Sequence, residues 1–515
     1  MAAAHHDDRP PLEGGARGLI TFSLSLAVFM QVLDTTIANV AVPTLAGDLG
    51  VSASQGTWVI TSFGVANAIA LPLTGWLARR FGEVRMFTVA TLAFVAASLL
   101  CGFSQSLEFL IFARVLQGLA AGPMFPLAQS LMLGAYPPHQ RGMAMAISMM
   151  VAVVGPIAGP LLGGWITDSF HWSWIFFINV PVGILAVALS WPVLKTRESR
   201  TAQVPIDRIG LALLVIGVGA LQLMLDKGNE LDWFESPEVI ALGVIAALGL
   251  ALLVVWELTD EHPVVDLRLF GEPNFAFGTL AISLGYMTFM GGVVLFPLWL
   301  QTTLGYTATW AGIVSAPIGV LPVILAPLIG KNMARLNLRW MVTLAFAVFA
   351  FTFWWQSHLT PGVDPWHLAQ PRFVQGVALA CFFAPLTTII VSRVPPGHMA
   401  SAMGLATFLR VLGGSFGTSL TVAYWDHKTA VHHSELAERM TIANDPFNAA
   451  LTGLQNLGMS AAQALGTVER LLNQQAVTKA TLDAFTLAAM MFVGLSVLVW
   501  LTKPVKAAGA PPPME

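Results

Sequence analysis

The 515 residues are 56% hydrophobic and 10% charged, with a mean hydropathy of +0.72; a soluble globular domain carries roughly 25% charged residues. This excludes burial of the apolar surface in one water-soluble core and predicts an all-α polytopic membrane protein. The formal net charge of -3, with Lys and Arg scattered through short loops, argues against a nucleic-acid partner.

The polar segment 1–17 has no signal-peptide cleavage pattern, and its His5, His6, Asp7 and Asp8 offer a metal no fixed geometry. Apolar runs of about 20 residues predict fourteen spans, near 18–42, 57–78, 86–104, 109–133, 142–166, 173–194, 207–226, 237–257, 274–301, 309–330, 340–357, 370–392, 401–424 and 481–502. An even number puts both termini on one side. With the N-terminus inside, seventeen Lys and Arg from Arg9 to Lys506 face the cytoplasm, and only Lys227 sits in the short outer loops. The positive-inside bias therefore places the tails 1–17 and 503–515 in the cytoplasm. Cys101 and Cys381 lie in separate apolar runs and are expected to be buried thiols.

The chain repeats itself at an offset of 258 residues: Arg114, Gln117 and Gly118 recur as Arg372, Gln375 and Gly376, Pro137-Pro138 as Pro395-Pro396, and Gly155 and Gly159 as Gly413 and Gly417. A six-span half over 18–194 is thus echoed by a second over 274–502, with two spans over 207–257 inserted between them. Such parallel repeats are the layout of transporters that bind substrate near the midplane. Segment 425–480 is about 55 residues of polar sequence on the outer side. Within it Ser460 and Gln463 have capping-box spacing, predicting an outer helix. Its bland reading is a mobile insertion and its sharper one a docking surface. His432 and His433 are expected to be solvated rather than metal-binding.

Intramembrane charges need a reason, because each is expensive in hydrocarbon. Asp34 precedes Pro43, and Arg114 follows the outer start of its span, so both lie roughly 8–12 Å deep in the outer leaflet at 1.5 Å per residue. They can pair. A carboxylate whose partner changes with conformation suits proton exchange; a fixed pair would only staple two helices. Arg372 falls near an outer helix end, where snorkelling accounts for it. Arg410 lies about nine residues into its span and either attracts acidic substrates to a central cavity or caps backbone carbonyls. Span five reads Gly155-Pro156-Ile-Ala-Gly159-Pro160-Leu-Leu-Gly163-Gly164. Its small residues at four-residue spacing predict a close helix contact, and its prolines a bendable one. The loop from Gly75 through Arg79, Arg80, Gly82, Glu83 and Arg85 joins turn-permitting glycines to three arginines.

These stretches resemble the fourteen-helix drug/proton antiporter branch of the major facilitator superfamily, the EmrB/QacA group, and within it the inner-membrane pumps of tripartite efflux systems. Leu33 to Pro43 is similar to that branch's first-helix motif, Arg114-x-x-Gln117-Gly118 to its fourth-helix motif linked with proton coupling, and Gly155 to Gly164 to its fifth-helix antiporter motif. The stretches from Gln55 to Phe63 and from Trp174 to Pro181 also match. The resemblance implies export of hydrophobic or amphipathic toxic compounds across the inner membrane in exchange for protons, with no cofactor beyond the proton gradient. It further implies partners in a periplasmic membrane-fusion adaptor and an outer-membrane channel, and proton coupling at Asp34 and Arg114. The substrate cavity is expected near Asp34, Gln117 and Arg410, the last on its depth in the span rather than on the resemblance. One place departs from the pattern: Arg79 stands where the superfamily usually has Asp, so the usual salt bridge of that loop does not carry over. A dedicated exporter of one metabolite class, such as a fatty acid or a siderophore, is the competing reading. No nucleotide-binding, metalloprotease or nucleophile-base pattern points to an enzyme.

Overall fold

The computed structural model describes residues 11–504 except positions 52, 138–139, 203–204, 206, 229–230, 261–262, 264, 334, 361, 363, 396–397, 439 and 441–444. The His5–Asp8 cluster, Lys506 and the ends of both tails lie outside the described residues, as do Pro138 and Pro396 of the repeat. All regular structure described is helical.

The N-terminal helices are α1 (Gly14–Asp48), α2 (Ala53–Ala70), α3 (Thr74–Phe81), α4 (Glu83–Gly102), α5 (Leu107–Ala135), α6 (Arg141–Ser169), α7 (Trp174–Phe177) and α8 (Asn179–Leu194). A pair follows, α9 (Arg208–Gly228) and α10 (Pro237–Thr259). The rest are α11 (Pro273–Thr302), α12 (Ala308–Ser315), α13 (Val320–Asn332), α14 (Leu338–Gln356), α15 (Pro365–Val391), α16 (Met399–Ala437), α17 (Asp445–Asn456) and α18 (Ala461–Leu498). Among the described residues, twelve helices are long and apolar enough to cross a membrane, and the bent pair α2–α3 makes thirteen. The apolar side chains of α10 stay outside the core: Val244, Leu248, Leu252 and Val255 are each more than half exposed. A surface of that kind is solvated by lipid, and the chain is a multi-pass membrane protein.

Three predicted spans are broken where proline removes a backbone donor. The second bends by 59° between α2 and α3, at Leu71-Pro72-Leu73. The sixth breaks between α7 and α8, three residues before Pro181. The tenth changes to a 3-10 turn over Ala316–Gly319, which contains Pro317, before resuming as α13. Segment 425–480 holds the outer helix expected from Ser460 and is more helical than a long loop. α16 runs on to Ala437, α18 already begins at Ala461, and α17 lies between them. Leu, Glu, Gln and Ala are good helix formers in water too, so the helices outlast the apolar run. Ser460 and Gln463 form the capping box at the start of α18.

Glycines set the closest helix pairs. A Cβ at Gly155, Gly159 or Gly163 would strike Val32, Thr36 or Ile37 of α1, so one face of α6 carries α1 at near-backbone distance. Gly413 and Gly417 of α16 seat α11 in the same way, against the backbone of Ser283 and Met287. α9 and α10 cross at Gly217 and Gly249, and α9 is tied to α16 by Gln222 to Ser415 at 3.2 Å and by Ser419 to the Leu225 carbonyl at 2.9 Å. The start of α1 meets the end of α5 (Leu12 N–H to the Ala135 carbonyl, 3.0 Å), and the end of α18 meets Asn274 at the start of α11. This is the termini face of the bundle; α17 marks the opposite one.

Candidate functional site

Asp34 is fully buried in α1 and held by three side-chain donors. Arg114 Nη1 of α5 donates to Oδ2 at 2.6 Å. Gln117 Nε2, one turn further along α5, and Asn179 Nδ2, the first residue of α8, donate to Oδ1 at 2.9 and 2.7 Å. Ser98 of α4 ties the amides together, accepting from Gln117 at 2.7 Å and from Asn179 at 3.3 Å. Four helices therefore converge on one carboxylate, and α6 fixes the helix that carries it.

Arg114 does not depend on Asp34 alone. Its Nε donates to the Val59 carbonyl at 3.0 Å and its Nη1 to Gln117 Oε1 at 2.7 Å. The guanidinium carbon lies 4.2 Å from the centroid of the Phe63 ring and 5.6 Å from that of Phe176. The guanidinium thus keeps an acceptor set and two aromatic faces whether or not the carboxylate is charged. Sequence reasoning assigned no role to Ser98, Asn179, Val59 or Phe63. Asn179, a polar residue within an apolar run, was the one available signal.

The remaining expected residues fall elsewhere. Arg410 of α16, 9% exposed, sits among the rings of Phe125, Tyr286 and Phe383, with centroids 5.1, 5.4 and 5.7 Å away. Arg372 does not snorkel. α15 begins at Pro365, capped by Asp364, so Arg372 lies two turns inside the helix and is 2% exposed. Its guanidinium donates to the Gly292 carbonyl of α11, while the missing side chain of Gly292 makes room for the Phe353 ring. His432 and His433 are not simply solvated: His432 bridges Glu435 at 3.3 Å and Asp483 at 2.8 Å, and His433 meets Glu469 at 2.9 Å, tying α16 to α18. Cys101 and Cys381 are buried thiols, and no three His, Cys, Asp or Glu among the described residues could hold a metal ion. The side chains of Pro156 and Pro160 lie outside the described residues; Gly164, unlike its three neighbours, faces open space.

At the termini face, Gly82 has φ +90° and its missing Cβ makes room for Glu198. The Glu198 carboxylate accepts from the backbone of Val84 at 3.0 Å and of Arg85 at 2.8 Å, capping α4. Ser199 accepts from Glu83 N–H at 2.9 Å, Ala202 N–H donates to the Arg79 carbonyl at 2.9 Å, and Trp76 Nε1 donates to the Pro205 carbonyl at 3.2 Å. The linker after α8 is thereby stitched along the Gly75–Arg85 loop. Gly75 packs against Ser401 at the start of α16, and Gly330 of α13 against Met143 of α6.

Known proteins agree with this architecture. The chain is 52% identical over 500 residues to the multidrug export protein EmrB of Escherichia coli K12, covering 97% of this chain and 98% of that protein. It is 52% identical over 496 residues to EmrB of Haemophilus influenzae, covering 96% and 97%. Identity to the fatty acid resistance protein FarB of Neisseria gonorrhoeae is 48% over 497 residues, covering 96% and 98%. Solved structures of the same fold include the human organic anion transporter MFSD10, at a TM-score of 0.60 with 13% identity, covering 95% and 100% of the two chains. The proton:xylose symporter XylE follows at 0.58 with 15% identity, covering 95% and 98%. The family profile described as Major Facilitator Superfamily matches residues 24–418, and the chain belongs to that superfamily, as a transporter and not an enzyme.

Proposed function

We propose that the protein exports hydrophobic and amphipathic drugs across the bacterial inner membrane in exchange for protons, with Asp34 as the proton carrier and Arg114 as its partner. The observation that carries this is the buried ion pair whose arginine has a second set of partners. When Asp34 takes a proton, Arg114 retains the Val59 carbonyl, Gln117 Oε1 and the Phe63 ring, so the pair opens without stranding a bare charge. When the proton leaves, Gln117 and Asn179 receive the carboxylate again. The proton gradient is the energy source, and no cofactor is needed. The relatives named for multidrug export support the substrate class.

We further infer fourteen spans: α6, a helix of 29 residues, joins the thirteen. The layout is then 6+2+6, with halves 18–194 and 274–502, the pair 207–257 between them, and segment 425–480 projecting into the periplasm. The basic residues at the termini face support cytoplasmic tails at 1–17 and 503–515. A periplasmic membrane-fusion adaptor is the proposed partner of the projection, handing substrate on to an outer-membrane channel. Asp34, Gln117 and Arg410 are the proposed polar groups of the substrate cavity. Gly75, Arg80, Gly82, Gly155, Pro156, Gly159, Pro160, Gly163 and Gly164 are the proposed conformational motifs. A dedicated exporter of acidic amphiphiles is the alternative; Arg410 in its aromatic setting and the relative named for fatty acid resistance support it.

Transport by Asp34→Asn in proteoliposomes with an imposed pH gradient tests the reading. The expected result is loss of proton-driven export with drug binding retained; unchanged transport would overturn it.

A further inference from the structure

The 258-residue repeat sets a second buried arginine where the first half keeps its ion pair. At the register of Asp34 stands Gly292, and Arg372 Nη2 donates to its backbone carbonyl at 2.9 Å. Arg372 Nη1 donates to Gln375 Oε1 at 2.9 Å, and the guanidinium carbon lies 4.1 Å from the Phe296 centroid. None of the ion pairs among the described residues includes Arg372. Two donors on these buried side chains, Arg372 Nε and Gln375 Nε2, have no acceptor among the described residues. In the first half the corresponding Gln117 Nε2 reaches both Asp34 and Ser98. Gln356, at the register of Ser98, donates to the Thr352 carbonyl on its own helix.

A guanidinium keeps its proton at any pH a protein meets, and burying it without a counter-charge is costly. The Gly292 carbonyl and the Phe296 ring offset part of that cost. Unanswered N–H donors one turn apart on a single helix, beside a permanent positive charge, are the donor set of an anion site. We propose that Arg372 and Gln375 bind one small monovalent anion, which supplies the second half with the negative charge that Asp34 gives the first. The ligand class is a singly charged acceptor, either a halide or the carboxylate of an acidic amphiphile. Arg372 lies seven residues from the start of α15, about 10 Å below it, so the anion enters from the α17 face.

The test is thermal unfolding of the purified full-length protein in sodium chloride, sodium octanoate or, as a reference whose polyhydroxylated chain keeps it in water, sodium gluconate at matched ionic strength, for wild type, Gln375→Glu and Arg372→Gln. Gln375→Glu is the decisive variant, because it adds a carboxylate beside the guanidinium without changing side-chain volume. The expected result is a saturable rise in midpoint of roughly 2–5 °C for wild type in at least one of the first two salts, absent in Gln375→Glu. A rise in chloride alone identifies a halide site, and one in octanoate alone a carboxylate site. Equal midpoints in all three salts, or an undiminished rise in Gln375→Glu, would overturn the proposal, even if Arg372→Gln fails to fold. The outcome is independent of the proton role proposed for Asp34.

Discussion

Asp34 receives hydrogen bonds from Arg114, Gln117 and Asn179, and these partners differ in what their loss would do. Removing Arg114 leaves a buried carboxylate without its counter-charge, whereas removing Asn179 takes away one neutral donor and leaves the pair intact. A hydrogen bond to a buried charged group contributes about 1.5–3 kcal/mol. In the proposed cycle Asn179→Ala should therefore slow proton-driven export by roughly tenfold or more while leaving drug affinity unchanged. Proteoliposome rates set beside drug-binding titrations check this; a parallel loss of binding would make Asn179 a structural residue. Asp34 and Arg114 were legible in the sequence because charges are rare in apolar helices and helical rise gives their depth. Ser98 was not, since a helical Ser usually bonds its own backbone and nothing local says that it faces two amides. Arg372 was misjudged for a related reason: position along a helix gives depth but not facing direction, and the Gly292 carbonyl that accepts from the guanidinium lies 80 residues away.

At the scale of elements, the face of α6 that seats α1 makes a graded prediction. A Cβ at Gly159 would overlap Thr36, whereas one at Gly164 would meet nothing. Gly159→Ala should destabilise the protein by about 1–3 kcal/mol and impair transport, with Gly164→Ala near wild type in both; equal effects would remove α6 from its role in positioning Asp34. The linkers at the termini face respond to acid. The hydrogen bond from His398 holds the Asp266 carboxyl below its usual range, against the opposing effect of its partial burial. A carboxyl depressed in the folded state adds stability above its unfolded pKa and loses it as pH falls through the folded one. The stability difference between wild type and Asp266→Asn should thus be largest near neutral pH and shrink on acidification, as read by thermal melts across a pH series. Helix existence was legible from hydropathy, but the bends were not: the prolines singled out, Pro156 and Pro160, lie in a continuous α6, because a proline permits a bend without saying which helix takes one. Nor were the extents of α16 and α18 legible, because hydropathy marks where a helix leaves the apolar phase rather than where it ends.

Across the whole molecule, glycines bring distant helices together at the termini face, Gly75 of α3 against Ser401 of α16 and Gly330 of α13 against Met143 of α6, while α16 and α18 continue past the bundle at the other. Their projection is cross-tied by His432 to Asp483 and His433 to Glu469, and α18 is anchored to the bundle by Gln474 donating to the Thr303 carbonyl at 2.7 Å. It also leaves apolar side chains uncovered: Leu457 is 80% exposed and Leu465 55%. Apolar exposure on an ordered polar element suits a protein partner better than bare solvent, which supports the proposed adaptor contact. Replacing residues 435–475 with a short Gly-Ser turn removes that surface, the His433 tie and the Gln474 anchor but keeps the His432 to Asp483 tie. In the proposed tripartite pathway this variant should still exchange drug for protons in proteoliposomes, where no adaptor is present, yet confer no resistance in cells. Resistance assays beside reconstituted transport separate the outcomes: loss of both activities marks the projection as part of the transporter's own fold, and retention of both removes it from any docking role.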